Sequence, residues 1–192
     1  MRHSKVGKCL GSGCWRPLRH RENTEYRENL EKLSNTKKVD AIETRARWAL
    51  NNRDGLKTEE LYVISLDTGK EVASILGKQL EARVERTKLF TKKLNDADLS
   101  GDQVLLIHNH PHGYPPNIGD INALYQSKNV SGITVGHDGS IYYYTRPQKP
   151  ISEFDFAVAL RRYKKYTQVT GQEKALEDLS HEYGFVFRKL SR

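Results

Sequence analysis

The chain's reactive side chains are concentrated between Val104 and Ala123, in VLLIHNHPHGYPPNIGDINA. His108 and His110 close an apolar run. Residues i and i+2 of an extended chain point the same way, so both imidazoles can face one point. Asp120 follows ten residues after His110, at the expected start of a helix. Two histidines and a carboxylate are a common ligand set for catalytic zinc, leaving a fourth position for water. An ion so held lowers the pKa of its water to about 7 and polarises a neighbouring carbonyl. What these three residues do not supply is a general base.

The elements around them must do the positioning. Residues 104–109, VLLIHN, read as a short strand buried on both faces. Pro111, Pro115 and Pro116 restrict the loop that returns Asp120 toward the histidines. Taken singly, a histidine at a strand end is a surface polar group and Asp120 is a helix N-cap; the ordered combination is specific. Upstream, LYVISLD and EVASIL read as strands joined by a tight turn at 67–70, and residues 82–97 as a helix. Downstream, GITVG and IYYYT form a hairpin. Helices follow over 152–167 and, after Gly171, over 172–182, with FVF as a short strand or tail.

The segment HNHPHGYPPNIGDI resembles the JAMM (MPN-plus) metalloprotease signature, a glutamate followed by His-x-His and Ser-x-x-Asp, in its RadC-like and phage-associated bacterial form. The likeness runs from about Thr58 to Thr145, with a weaker one in the tail YKKYTQVTGQEKALEDLSHEYG. It implies an α/β fold, a mixed sheet flanked by helices, with helical N- and C-terminal extensions. It also implies a zinc-dependent peptidase or isopeptidase acting on a protein or peptide, with His108, His110 and Asp120 binding one zinc ion per chain. The family's glutamate falls on Glu59 or Glu60. Counting back from Asp67 favours Glu59, and strand alternation groups Glu59 with Leu61 and Val63, and Glu60 with Tyr62 and Ile64. Asn117 stands where the family has serine, and the loop before it is one residue shorter than the commonest spacing. An asparagine amide can donate to an oxyanion, but the replacement lowers the expected rate. The tail's likeness to prophage and head-morphogenesis proteins implies the cytoplasm of a bacterial or phage-infected cell.

Composition bounds the rest. The chain has 192 residues, 36% of them apolar and 29% charged, enough for one domain with extensions. Residues 1–57 hold 14 Lys and Arg against 7 Asp and Glu, and residues 58–192 hold 18 against 17, so the net charge of +8 belongs almost wholly to the first third. Residues 1–21 read as a basic mobile arm able to bind nucleic acid or another acidic partner. Residues 22–55 read as a helical segment, with Val39, Ile42, Ala46, Ala49 and Leu50 at helical spacing. The metalloprotease-like domain is expected over 56–150 and a helical tail over 151–192. No apolar run approaches the roughly 20 residues of a membrane span, and the amino-terminal segment has no apolar signal core.

Other candidates are weaker. Cys9 and Cys14, with His3 and His20 nearby, are either a second metal site or ordinary thiols in a reducing compartment. His112 is a substrate contact or an exposed loop residue, and His137 a turn residue. Tyr142, Tyr143 and Tyr144 are expected to alternate between core and surface. Neither a Gly-rich phosphate loop nor a Ser-centred nucleophile motif is present. The rival to an enzyme is a degenerate binding module, serving as a scaffold or in nucleic-acid processing. A toxin or effector hydrolase is a third possibility.

Overall fold

The computed structural model describes residues 20–33, 36–51, 59–76, 88–110, 113–136 and 138–190. Its centre is a mixed six-stranded sheet. The strands are β1 (Glu60–Ser65), β2 (Glu71–Leu76), β3 (Val104–His110), β4 (Val130–Gly136), β5 (Ile141–Thr145) and β6 (Phe187–Lys189). Their order is β2-β1-β3-β4-β5-β6. Only β3 and β4 pair in parallel; every other neighbouring pair is antiparallel. The turn expected at 67–70 is present, with Gly69 at a φ of +72°.

Helices cover both faces. On one face α1 (His20–Glu31) and α2 (Thr36–Asn51) bury Tyr26, Leu30, Val39, Ile42, Ala46 and Ala49 against Tyr62, Ile64, Leu105, Ile107, Ile133 and Val135. The apolar positions that gave α2 its helical period are the ones it buries. On the other face Leu61, Val63, Val104 and Leu106 meet Leu94 and Ala97 of α3 (Lys88–Leu99), the short α4 (Ile118–Asn122), and α5 (Glu153–Arg162) with α6 (Gln168–Tyr183). Leu176 and Leu179 of α6 are fully buried there, each contributing about 1.5–3 kcal/mol of apolar transfer. This two-sided cover explains why every residue of β3 is buried.

Several elements differ from expectation. Beyond the hairpin of β4 and β5, the strand expected at 185–187 forms instead at Phe187–Lys189 and adds to β5. Tyr142 and Tyr144 are buried on the α6 face while Tyr143 packs against the α1–α2 side, so no tyrosine of β5 faces open solvent. Helix α5 stops at Arg162, five residues short of the expected end, and α6 begins at Gln168 after its N-cap Thr167, four residues earlier than expected. Gly171 lies inside α6 and does not start it. A Cβ there would be 3.3 Å from the Tyr163 carbonyl, so the glycine permits close approach of the two helices. Helix α4 opens at Ile118 and its chain tightens into i→i+3 turns after Asn122, giving a shorter helix than the expected DINALYQS. Of the helix expected over 82–97, residues 82–87 lie outside the described residues, and α3 runs on to Leu99. Among the described residues no helix is long and apolar enough to cross a membrane.

Candidate metal centre

Strand β3 carries its alternation to its carboxyl end. Val104 and Leu106 face the α6 side, so His108 and His110 do as well, and each is 6% exposed. The chain then turns through Gly113–Asn117 and enters α4, which brings Asp120 back over the two rings. The result is a group of three potential metal ligands, His108, His110 and Asp120. His108 Nε2 lies 3.0 Å from His110 Nε2, and Asp120 Oδ2 lies 3.6 Å from the first and 3.4 Å from the second.

Those three separations decide whether a metal fits. Ligand bonds of about 2.0–2.1 Å at tetrahedral angles place donor atoms about 3.3 Å apart, and the observed edges straddle that value. The tautomer agrees. His110 Nδ1 is 2.9 Å from the Tyr114 carbonyl, which can only accept, so Nδ1 carries a proton and Nε2 is the nitrogen whose lone pair, in the neutral ring, faces inward. In register with His108 on β4 is Thr134, whose buried hydroxyl has no hydrogen-bond partner among the described residues. The donor set therefore suits a divalent cation.

Asp120 is fixed by a capping box. Asn117, not Asp120, is the N-cap of α4: its Oδ1 accepts from the Asp120 N–H at 3.1 Å, and its own N–H donates to Asp120 Oδ2 at 2.8 Å. Asp120 is the third residue of the helix, a position that turns its carboxylate back toward the strand end. Burial alone would raise the Asp120 carboxyl, but the His108 and His110 imidazoles hold it well below the usual carboxylate range. Burial alone would likewise lower His110, but the Asp120 carboxylate, helped by Glu59, leaves its pKa above the ordinary value.

The two glutamates separate cleanly. Leu61 pairs with His108 across β1 and β3, so continuing the register by two residues brings Glu59 level with His110 on the same face. The electrostatic effect of Glu59 on His110 agrees. Glu60 is 1% exposed on the opposite face, where its carboxylate accepts from the Tyr62 hydroxyl and its N–H donates to Asn109 Oδ1 at 2.8 Å. Asn109, between the two histidines, thus locks the start of β1 against the end of β3.

A further set of residues holds the proline loop. Gln172 of α6 donates to the Pro115 and Pro116 carbonyls, and the Tyr114 hydroxyl donates to Gln168. Tyr144 lies edge-on to His108, with ring centroids 6.5 Å apart. Sequence reasoning did not find Gln168 or Gln172, because their partners lie more than 50 residues away and two of them are backbone carbonyls. His112, His137, His3, Cys9 and Cys14 lie outside the described residues, and His20 is the first residue of α1. Comparisons of the chain with protein-family models, with curated proteins and with solved structures find no match.

Proposed function

We propose that the chain is a zinc-dependent hydrolase of amide bonds, a peptidase or isopeptidase of the JAMM type that its Val104–Ala123 segment resembles. The reading rests on one observation above all: His108 Nε2, His110 Nε2 and Asp120 Oδ2 converge at tetrahedral edge lengths, with His110 in a metal-binding tautomer. These three residues would hold the ion, which when bound supplies a water of lowered pKa and positive charge beside the scissile carbonyl. Glu59 is the general base, taking a proton from the attacking water and returning it to the leaving amine. Its place at the entrance to β1 on the His110 face supports that role, and the buried Glu60–Tyr62 pair argues against Glu60. With Asn117 Oδ1 engaged in the α4 cap, the Asn117 Nδ2 group is the donor left to meet the oxyanion.

The test is metal analysis of the purified chain beside the His108→Ala/His110→Ala variant. One zinc per chain, absent from the variant, is expected. A wild-type chain that holds no metal after reconstitution overturns the reading. Glu59→Gln should keep the metal and stop hydrolysis.

One observation favours a second reading, that of a degenerate binding module acting as a scaffold or on nucleic acid. Asn117 already has a structural task in the α4 cap, so its presence does not require catalysis. Nucleic-acid binding whose salt dependence vanishes on deletion of residues 1–21, in a chain that retains metal without turnover, is the outcome that selects this alternative.

A further inference from the structure

Residues 161–166 read Arg-Arg-Tyr-Lys-Lys-Tyr, four cations and two tyrosines in six positions, inside a region of the chain that is otherwise nearly neutral. They form the end of α5 and the turn into α6. Arg161, Arg162, Lys164 and Lys165 are all exposed, and Tyr166 is 41% exposed. Lys174, one and a half turns into α6, joins the group: its ammonium and that of Lys165 each lie 5.4 Å from the centre of the Tyr166 ring. The negative carboxyl end of α5 accounts for its last-turn pair, Arg161 and Arg162. It does not account for Lys174, which belongs to another helix. Asp178 answers only part of the charge, accepting from the Tyr163 hydroxyl at 2.8 Å and pairing with Arg162 at 3.5 Å. The α5 dipole, the Arg162–Asp178 pair and the contacts with the Tyr166 ring offset only part of the repulsion among these like charges.

The turn is also tied to the metal centre. Gln168, two residues past Tyr166, accepts from the Tyr114 hydroxyl, and the Tyr114 carbonyl holds His110. Gln172, one turn further, holds the proline loop. A polypeptide lying across α6 toward His108 and His110 would pass this cluster.

We infer that the Arg161–Tyr166 turn with Lys174 is a docking surface for an acidic segment of the polypeptide substrate, placed beside the metal centre to deliver the scissile bond. The inference rests on the hydrolase reading for its direction toward the site. Charge selects a polyanion, and the tyrosine selects between polyanions. Single-stranded nucleic acid binds through open aromatic faces on which bases stack. The Tyr166 ring is already attended by two ammonium groups, so a base would have to displace a lysine, whereas carboxylates meet those ammoniums where they stand.

The experiment uses the full chain and two fluorescent probes, poly-L-glutamate and an oligothymidylate, with anisotropy read across a salt series. Poly-L-glutamate should bind, more weakly as salt rises, and K164E/K165E/K174E should weaken it at least tenfold with the basic arm intact. These side chains are exposed or half-exposed and none is in the metal centre, so circular dichroism should match wild type; milder K164Q/K165Q/K174Q should give an intermediate loss. Binding that is indifferent to both variants overturns the proposal and leaves the arm as the polyanion site. Tighter binding of oligothymidylate, lost in the same variants, overturns it in favour of nucleic acid. Patch-dependent poly-L-glutamate binding by a chain that takes no zinc sinks the hydrolase reading and the directional claim, while zinc uptake without such binding sinks the docking surface alone.

Discussion

His110 Nδ1 donates to the Tyr114 carbonyl at 2.9 Å, four residues along the chain, and this one bond fixes both the tautomer and the rotation of a candidate metal ligand. Because the acceptor is backbone, the loop's path controls the ligand. That path passes through Gly113, whose φ of +67° is strained for any other residue, and whose missing Cβ position is 2.5 Å from the Asp138 carboxylate. Gly113→Ala is expected to cost about 1–3 kcal/mol of stability and to weaken metal affinity about tenfold or more by moving the Tyr114 carbonyl. Urea melts and chelator competition measure the two effects. Adding Asp138→Ala should recover the steric part and leave the φ strain, so a double variant as stable as wild type would contradict the conformational half of the argument.

The two adjacent glutamates should respond oppositely to substitution. Glu60→Ala leaves the Tyr62 hydroxyl and a buried pocket unanswered on the helix-covered face, and should destabilise the chain by about 1–3 kcal/mol while retaining zinc. Glu59→Gln keeps the size of the side chain, so it should lower the unfolding free energy measured in urea by less than Glu60→Ala does, and should abolish hydrolysis. Glu59→Gln that unfolds the chain, or Glu60→Ala that stops turnover in a fully folded one, would reverse the assignment.

What could be read in advance, and what could not, follows the range of each interaction. The His108–His110 pair and the two-sided burial of β3 follow from strand alternation and an apolar run, both local properties, and the face shared by Glu59 and Leu61 follows the same way. Asp120 was recognisable as a helix-start carboxylate, but its place as third residue of the capping box depends on Asn117, for which the sequence offers a competing role. Gly171 misled because glycine ends helices by its freedom and also allows helices to touch, and only the partner's position tells which applies. Gln172 was invisible because its acceptors are backbone carbonyls of a loop 56 and 57 residues away, which no pattern of side chains records.

Metal should stabilise this fold as well as activate it. The three candidate ligands come from β3 and from the start of α4, and no comparable site exists in the unfolded chain, so the free energy of binding a metal there would become folding free energy. Zinc at about a hundred times its dissociation constant should add about 2.7 kcal/mol. Thermal melts with zinc and with a chelator should therefore separate for wild type and coincide for His108→Ala/His110→Ala. A zinc-dependent shift that survives in the double variant would place the metal elsewhere, with Cys9, Cys14 and His3 as the first residues to substitute.

Tyr183, on the last turn of α6, donates to the Asp155 carboxylate of α5, and this bond pushes its hydroxyl pKa up to about 12. Between the ordinary value near 10 and that of the folded chain, the native state keeps a proton that the unfolded state has released. Stability from this bond is therefore fully present below about pH 10 and is lost as pH rises through 12. Urea melts of wild type and Tyr183→Phe should differ by a constant amount from neutral pH to about pH 10, where the Asp155 carboxylate stays ionised, and the difference should shrink above it. The Lys149 ammonium lies 4.6 Å from the centre of the Tyr183 ring. Phenylalanine keeps that ring, so the lysine contribution cancels in the comparison and the remaining pH dependence belongs to the hydroxyl. A difference that stays flat or widens above pH 10 would mean that the Tyr183–Asp155 bond adds nothing to the α5–α6 contact, which would then rest on the packing of Ala159, Ala175 and Leu179 and on the Tyr163–Asp178 bond.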